Sequence, residues 1–220
     1  MLSETTMTEK NVSMLKYYLP GTRKHQPEIR FWLALLTLIN LGLLLGNTPA
    51  LNLGYDPAAV ANGEWWRIFS WPFVHISRYH LLIDGAAFLL LYTGLEEPRS
   101  GWRIVMVFCA AAGSLLLPLA IAPQIQQLGL CGLSGVAHGL AAISALEMLR
   151  HKSQQRLGST LLIVLLLKIA WELWTGSAFL QGFHLGEIGQ PIVSTHAGGA
   201  IGAILGYILT KPTSLFHNKA

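Results

Sequence analysis

The sequence predicts an all-α polytopic membrane protein: a compact bundle of six transmembrane helices with both termini in the cytoplasm. Three observations carry that expectation. The 220-residue chain is 52% hydrophobic and only 12% charged, about half the charge of an ordinary soluble domain. Six apolar segments recur, near residues 31–46, 79–95, 102–122, 133–149, 157–176 and 193–210. Each approaches the ~20 residues that cross a bilayer as a helix, and a backbone in lipid must satisfy its own hydrogen bonds. Finally, the lysines and arginines gather on alternate connections.

Taken in order, residues 1–30 are polar and basic, with Lys10, Lys16, Arg23, Lys24 and Arg30. They lack the apolar stretch and small-residue cleavage site of a signal peptide, and they are expected to form a cytoplasmic tail. The membrane domain is expected over 31–210, and a second cytoplasmic tail over 211–220. The first tail, the turn with Arg99 and Arg103, the turn with Arg150, Lys152 and Arg156, and the last tail with Lys211 and Lys219 hold 12 of the 15 Lys and Arg residues. With six spans these four regions share one side, and positive charge marks that side as cytoplasmic. The net charge of +4 is therefore a topology signal, and no nucleic-acid partner is expected. Two cysteines imply no disulfide framework. At helical rise Cys109 and Cys131 lie about 20 Å apart in depth, beyond disulfide reach.

The first outer loop reads "GEWWRIFSWPFVHISRYH" over 63–80. Its Trp65, Trp66, Trp71, Phe73 and Tyr79 suit a membrane–water interface. An aromatic belt does not account for Arg67, His75 or His80.

Segments two, four and six run from outside to inside. His80 lies 16 residues before Glu96, Ser134 lies 16 before Arg150, and His196 lies 15 before Lys211. At 1.5 Å per residue each sits about 22–24 Å above the inner boundary, several Å below the outer surface of a ~30 Å apolar layer. Ionisable groups at that depth face a water-filled cavity or a partner. Serine is a poor nucleophile until a base takes its proton, and His196 is placed to be that base for Ser134. Ser134 also opens its helix, so the first backbone N–H groups lack intrahelical acceptors and suit a developing oxyanion. His80 is placed to donate another hydrogen bond.

Glycine costs a helix about 1 kcal/mol against alanine, yet Gly132, Gly135 and Gly139 surround Ser134. Gly198, Gly202 and Gly206 follow His196 at four-residue spacing. Such a row lets a neighbouring helix approach closely. The fourth helix is the expected neighbour, because a Ser134–His196 hydrogen bond requires that approach. A plain packing role for the glycines and a backbone-bonded histidine are the simpler explanations of each motif taken alone. Lys168 and Glu172, four apart on the fifth segment, are expected to pair as the lysine snorkels outward.

The ordered set resembles the rhomboid intramembrane serine proteases. It comprises Trp66-Arg67, His75, His80, Gly132-x-Ser134-Gly135, and His196 with Gly199, over roughly residues 60–210. With "GLSGVAHGL" and its compact six-helix form the chain looks most like the rhombosortase branch. The resemblance implies a Ser134–His196 dyad hydrolysing peptide bonds without metal or cofactor. It implies substrates that are transmembrane proteins with a C-terminal anchor, trimmed of a Gly-Gly-type sorting tail. It also implies a bacterial inner membrane, with the site opening to the periplasm. A site at that depth reaches only peptide bonds near the outer end of a span.

Two positions depart from the rhomboid pattern. Many rhomboids have Asn four residues after the first helix-2 histidine; here Asp84 stands there. As a neutral acid it would donate to the oxyanion, and as a carboxylate it would orient His80. Many have Tyr four residues after the serine; here it is His138, which stands as an alternative base. Cys131 offers a thiol alternative. A non-catalytic rhomboid-like protein that binds transmembrane segments, a haem protein ligated by His80 and His196, and a transporter are the competing functions.

Overall fold

A computed structural model describes residues 25–179, 182 and 185–210. The first 24 residues of the N-terminal tail and the whole C-terminal tail, with Lys211 and Lys219, lie outside the described residues. Six main helices carry the fold: α1 Gln26–Ile39, α2 Arg78–Gly94, α3 Ser100–Ile121, α4 Ser134–Leu149, α5 Gln155–Thr175 and α6 Ser194–Thr210. Among the described residues there is no strand, only an isolated antiparallel bridge between Tyr55 and Leu130. By length and apolarity α3 and α5 can each cross a membrane. A third candidate joins α2 to the preceding Arg67–Phe73 helical stretch through a 93° bend. Helix α4 is apolar but shorter.

The helix ends follow the apolar segments within a few residues, except in α1. It starts at Gln26, inside the expected tail, with a proline in its first turn. It also breaks at Asn40, before a second short helix, Leu41–Gly46. Asn40 is fully buried. Its amide donates to Leu36 O (2.9 Å) and Phe73 O (2.8 Å), and its oxygen accepts from the His75 backbone N–H (3.0 Å). One polar side chain thus clamps α1 to the chain that leads into α2. A buried amide left without partners would cost a few kcal/mol, and here every arm is used.

The main core lies between α1, α2, α3, α4 and α6, around Trp32, Phe88, Tyr92, Met106, Val136, Ile143 and Tyr207. Trp32 stacks on Phe73 with ring centroids 5.8 Å apart. Large apolar side chains face outward as well, among them Leu90, Leu167, Trp174 and Leu209, the surface expected of a protein solvated by lipid.

Helix α4 is the most enclosed, with no exposed residue, and α6 packs chiefly against α3 and α4. Its glycines divide between two neighbours. A Cβ on Gly198 would meet the Gly113 backbone, and one on Gly202 would meet Cys109. Gly206 likewise faces Cys109. Gly199 instead faces Gly135, and Gly139 faces Gly199 O and Ala203. The expectation that the 198/202/206 row meets α4 is therefore corrected: that row meets α3. Consecutive helical residues point 100° apart, so the 199/203 row faces α4.

The charged ends of α1, α2 and α3 are tied by Arg103, which is 2% exposed. Arg103 grips Glu28 with two hydrogen bonds (2.6 and 2.9 Å), Tyr92 OH donates to the same carboxylate (2.5 Å), and Arg103 also donates to Glu97 O. Burial alone would raise the Glu28 carboxyl. The hydrogen bonds from Arg103 and Tyr92, with the Arg103 charge, outweigh it and hold the group below its ordinary value. Glu28→Gln is expected to destabilise the fold by about 3 kcal/mol, because a buried guanidinium loses its counter-charge. A carboxyl lowered on folding stabilises the protein at neutral pH. That contribution falls away as the pH drops through the lowered folded value. Thermal unfolding in detergent should therefore show a gap between wild type and Glu28→Gln at neutral pH that closes in acid.

Candidate active site

Three loops and four helices converge on one cavity of about 400 Å³, into which Ser134, His138, His196, His80, Asp84 and Glu172 all open. Ser134 is the first residue of α4. Leu133 before it provides no side-chain cap, so the opening amides of the helix have no intrahelical acceptor. Gly132 holds φ +100° and presses on α2; a Cβ there would come within 2.7 Å of His80 Nε2 and 2.9 Å of Asp84 Oδ2. Only glycine suits that backbone and that space.

His196 sits in the first turn of α6. Its Nε2 lies 3.3 Å from Ser134 Oγ, and its Nδ1 lies 2.7 Å from Glu172 Oε2. A carboxylate can only accept, so the Nδ1 proton donates to Glu172 and the Nε2 lone pair faces the serine. This is the tautomer a general base needs. Both ring nitrogens are engaged, so an iron ligand would have to give up one of these bonds.

His138 lies face to face on His196, ring centroids 3.9 Å apart and 12° from parallel. Its Nδ1 donates to Ser134 O at 2.6 Å. It packs against the base rather than approaching the serine oxygen edge-on. Donor atoms of His138, Glu172 and His196 all lie within 4.8 Å of one another, the one metal-sized group among the described residues. Imidazole lone pairs lie in the ring plane, however. Two stacked, near-parallel rings do not converge on a single ion.

On the opposite wall, Ser77 caps α2 by accepting from the His80 backbone N–H (3.0 Å). Asp84 Oδ2 lies 3.2 Å from His80 Nε2 and 3.7 Å from His75 Nε2. His75 is wholly buried, edge-on to His80 at 5.0 Å, and stands behind the cavity. Trp66 and Arg67 lie away from it. Trp66 is exposed. Arg67 binds Glu64 (2.7 Å) and the carbonyls of Leu51 and Gly54 (2.9 Å each), which pins the outer loop together.

Lys168 departs from expectation. It pairs with Glu172 at 2.5 Å, but the pair turns inward: Glu172 is 1% exposed and Lys168 lines the cavity. The carboxylate has nearer partners inside than a lysine reaching to lipid headgroups could give it. Both cysteines are free thiols. Cys131, in the loop before α4, borders the cavity. Burial, with the nearby Asp84 charge, pushes its thiol up to about 11, far from the thiolate that a cysteine nucleophile requires.

The arrangement holds the parts that acyl transfer requires. It has a hydroxyl beside a base in the correct tautomer, free helix-start amides for an oxyanion, and a cavity for the acyl group. Comparison with curated proteins finds no match, and comparison with solved structures finds none. Residues 62–212 match the family model described as Rhomboid domain, and the chain belongs to the rhomboid family.

Proposed function

We propose that this protein is an intramembrane serine protease, with Ser134 as nucleophile and His196 as general base and then general acid. The observation that carries the reading is the Ser134 Oγ–His196 Nε2 approach of 3.3 Å inside the cavity. In this mechanism the serine oxygen attacks the scissile carbonyl carbon while its proton passes to His196 Nε2. The opening amides of α4 and His80 receive the oxyanion. His196 returns the proton to the leaving amine, and water then releases the acyl group by the same route. No metal or cofactor takes part.

The protein crosses a bacterial inner membrane six times with both termini in the cytoplasm, and its site opens to the periplasm. The substrates are proteins with a C-terminal membrane anchor, cut near the outer end of that span. As in the rhombosortase branch, the cut removes a Gly-Gly-type sorting tail. Walls formed by Ile76, Ile83, Leu130 and Ile192 favour small residues at the cleaved bond. Purified protein should react covalently with a fluorophosphonate probe at Ser134. Surface proteins from cells that carry the protein should lack C-terminal spans that cells without it retain. Absence of probe reaction would instead favour a rhomboid-like protein that binds spans without cutting them.

Within this mechanism Asp84 is an ionised residue that orients His80, supported by its 3.2 Å approach to His80 Nε2 and its 3.7 Å approach to His75. Asp84→Asn is expected to lower kcat by one to about three powers of ten, the range for a displaced electrostatic group. Full activity across about pH 6 to 9 would instead assign Asp84 the donor role.

A further inference from the structure

We propose that Glu172 completes a Ser134–His196–Glu172 triad, acting as the positioning residue that sets the His196 tautomer and steadies its charged form. The proposal rests on Ser134 and His196 being the reacting pair, and it goes beyond the two-residue dyad that the family resemblance implies.

Glu172 projects from α5, and its side chain is 1% exposed. Its two oxygens are divided between two tasks. Oε1 accepts from Lys168 Nζ (2.5 Å) and from the Phe179 backbone N–H (2.9 Å), while Oε2 faces His196 Nδ1 alone at 2.7 Å. Lys168 balances the charge, so the carboxylate stays ionised within an apolar helix without consuming the oxygen that serves the histidine. A carboxylate needed only to pair with Lys168 has no cause to meet a residue 24 positions along the chain.

The consequence for the reaction is specific. A neutral imidazole carries its proton on Nδ1 or on Nε2. A proton on Nε2 leaves no lone pair for Ser134. The acceptor at Nδ1 excludes that form. When the Ser134 proton arrives at Nε2, the imidazolium keeps Nδ1–H directed at Glu172, and no proton moves to the carboxylate. His196 is faced by Ser134 and His138 from α4, by Glu172 and Lys168 from α5, and by Asp84 and His80 from α2. Of these, Glu172 alone contacts Nδ1, since the His138 Nδ1 is spent on Ser134 O.

Glu172→Gln is the informative variant. Lys168 and Phe179 both donate to Oε1, so the amide oxygen takes that place. Its NH2 group then faces His196 Nδ1 and selects the wrong tautomer. Purified wild type, Glu172→Gln, Glu172→Asp and Ser134→Ala would be compared in proteoliposomes with a fluorophosphonate probe, and the histidine tautomers would be read by 15N NMR. The maximal labelling rate of Glu172→Gln is expected to fall by about 10³- to 10⁴-fold, with the half-saturating probe concentration within about threefold of wild type. Glu172→Asp should recover a tenth or more of the rate, and the His196 proton should move from Nδ1 to Nε2 in Glu172→Gln only.

Wild-type labelling with an unchanged tautomer in Glu172→Gln would overturn the triad and leave the protease reading standing. A loss that followed melting temperature alone, with no rescue by Glu172→Asp, would overturn it too. If wild type labels no faster than Ser134→Ala, the protease reading fails and the catalytic triad with it. The tautomer measurement would separately show whether Glu172 orients His196. Should Glu172→Gln fail to fold, the rate and tautomer of Glu172→Asp decide the question.

Discussion

Ser134→Ala and His196→Ala should each remove proteolysis almost completely, by about 10⁶-fold, and the double variant should be no worse than either alone. The reason lies in the geometry of the pair. In the proposed mechanism the Ser134 hydroxyl becomes a nucleophile only as its proton passes to His196 Nε2, 3.3 Å away. Without the acceptor the hydroxyl is inert, and without the hydroxyl the base has nothing to activate. Residues that act as one unit are therefore strongly non-additive, and the remaining rate comes from the oxyanion donors and the bound substrate. The measurement is kcat for each variant on a single-span substrate in proteoliposomes, with helical content checked by circular dichroism. Substantial cleavage by Ser134→Ala would sink the assignment. So would a double variant whose loss equals the product of the single losses, because that would mean two independent contributions.

Much of this arrangement is legible in the sequence, and the reasons are physical. Helix positions follow from apolar runs, which is why α3 to α6 begin and end within a few residues of the expected segments. The expected shared depth of His80, Ser134 and His196 rests on a fixed rise per residue counted from the first inner charge. All three open into one cavity. What spacing along one helix does not give is which face meets which neighbour. Glu172 and Lys168 are correctly paired by their i,i+4 spacing, but nothing in that spacing directs them to His196. Asn40 stands as one polar residue in an apolar run. That marks it as needing partners without naming Phe73 or His75. The glycines after His196 announce close packing in the same way, and the run Cys109-Ala-Ala-Ala-Gly113-Ser114 in α3 is the small-residue surface that answers them. It carries no regular four-residue glycine pattern, so it stays hidden until the helices are seen together.

Gly199→Ala should impair the protein more than its single added methyl suggests. Alanine is the better helix former by about 1 kcal/mol, so propensity alone predicts a gain. At Gly94, the last residue of α2, a Cβ meets nothing within 4 Å, and Gly94→Ala should be neutral or slightly stabilising. At Gly199 the same atom would lie 2.6 Å from the Gly135 carbonyl carbon, 2.7 Å from Ser114 Oγ, and closer still to the Gly135 oxygen. The obstacle is backbone on a facing helix, which cannot rotate aside as a side chain would. Helices α4 and α6 must move apart, at a cost of about 1–3 kcal/mol for overpacking. Gly135 follows Ser134 directly and Gly199 lies three residues after His196, so the separation falls on the proposed Ser134–His196 pair. A displacement of ~1 Å at such a site costs about 10²-fold in rate. Thermal unfolding and kcat measured on the same preparations should therefore show a modest fall in stability and a loss of activity near 100-fold for Gly199→Ala, with Gly94→Ala unchanged in both. Wild-type activity in Gly199→Ala would mean that α4 and α6 are not held together at this point.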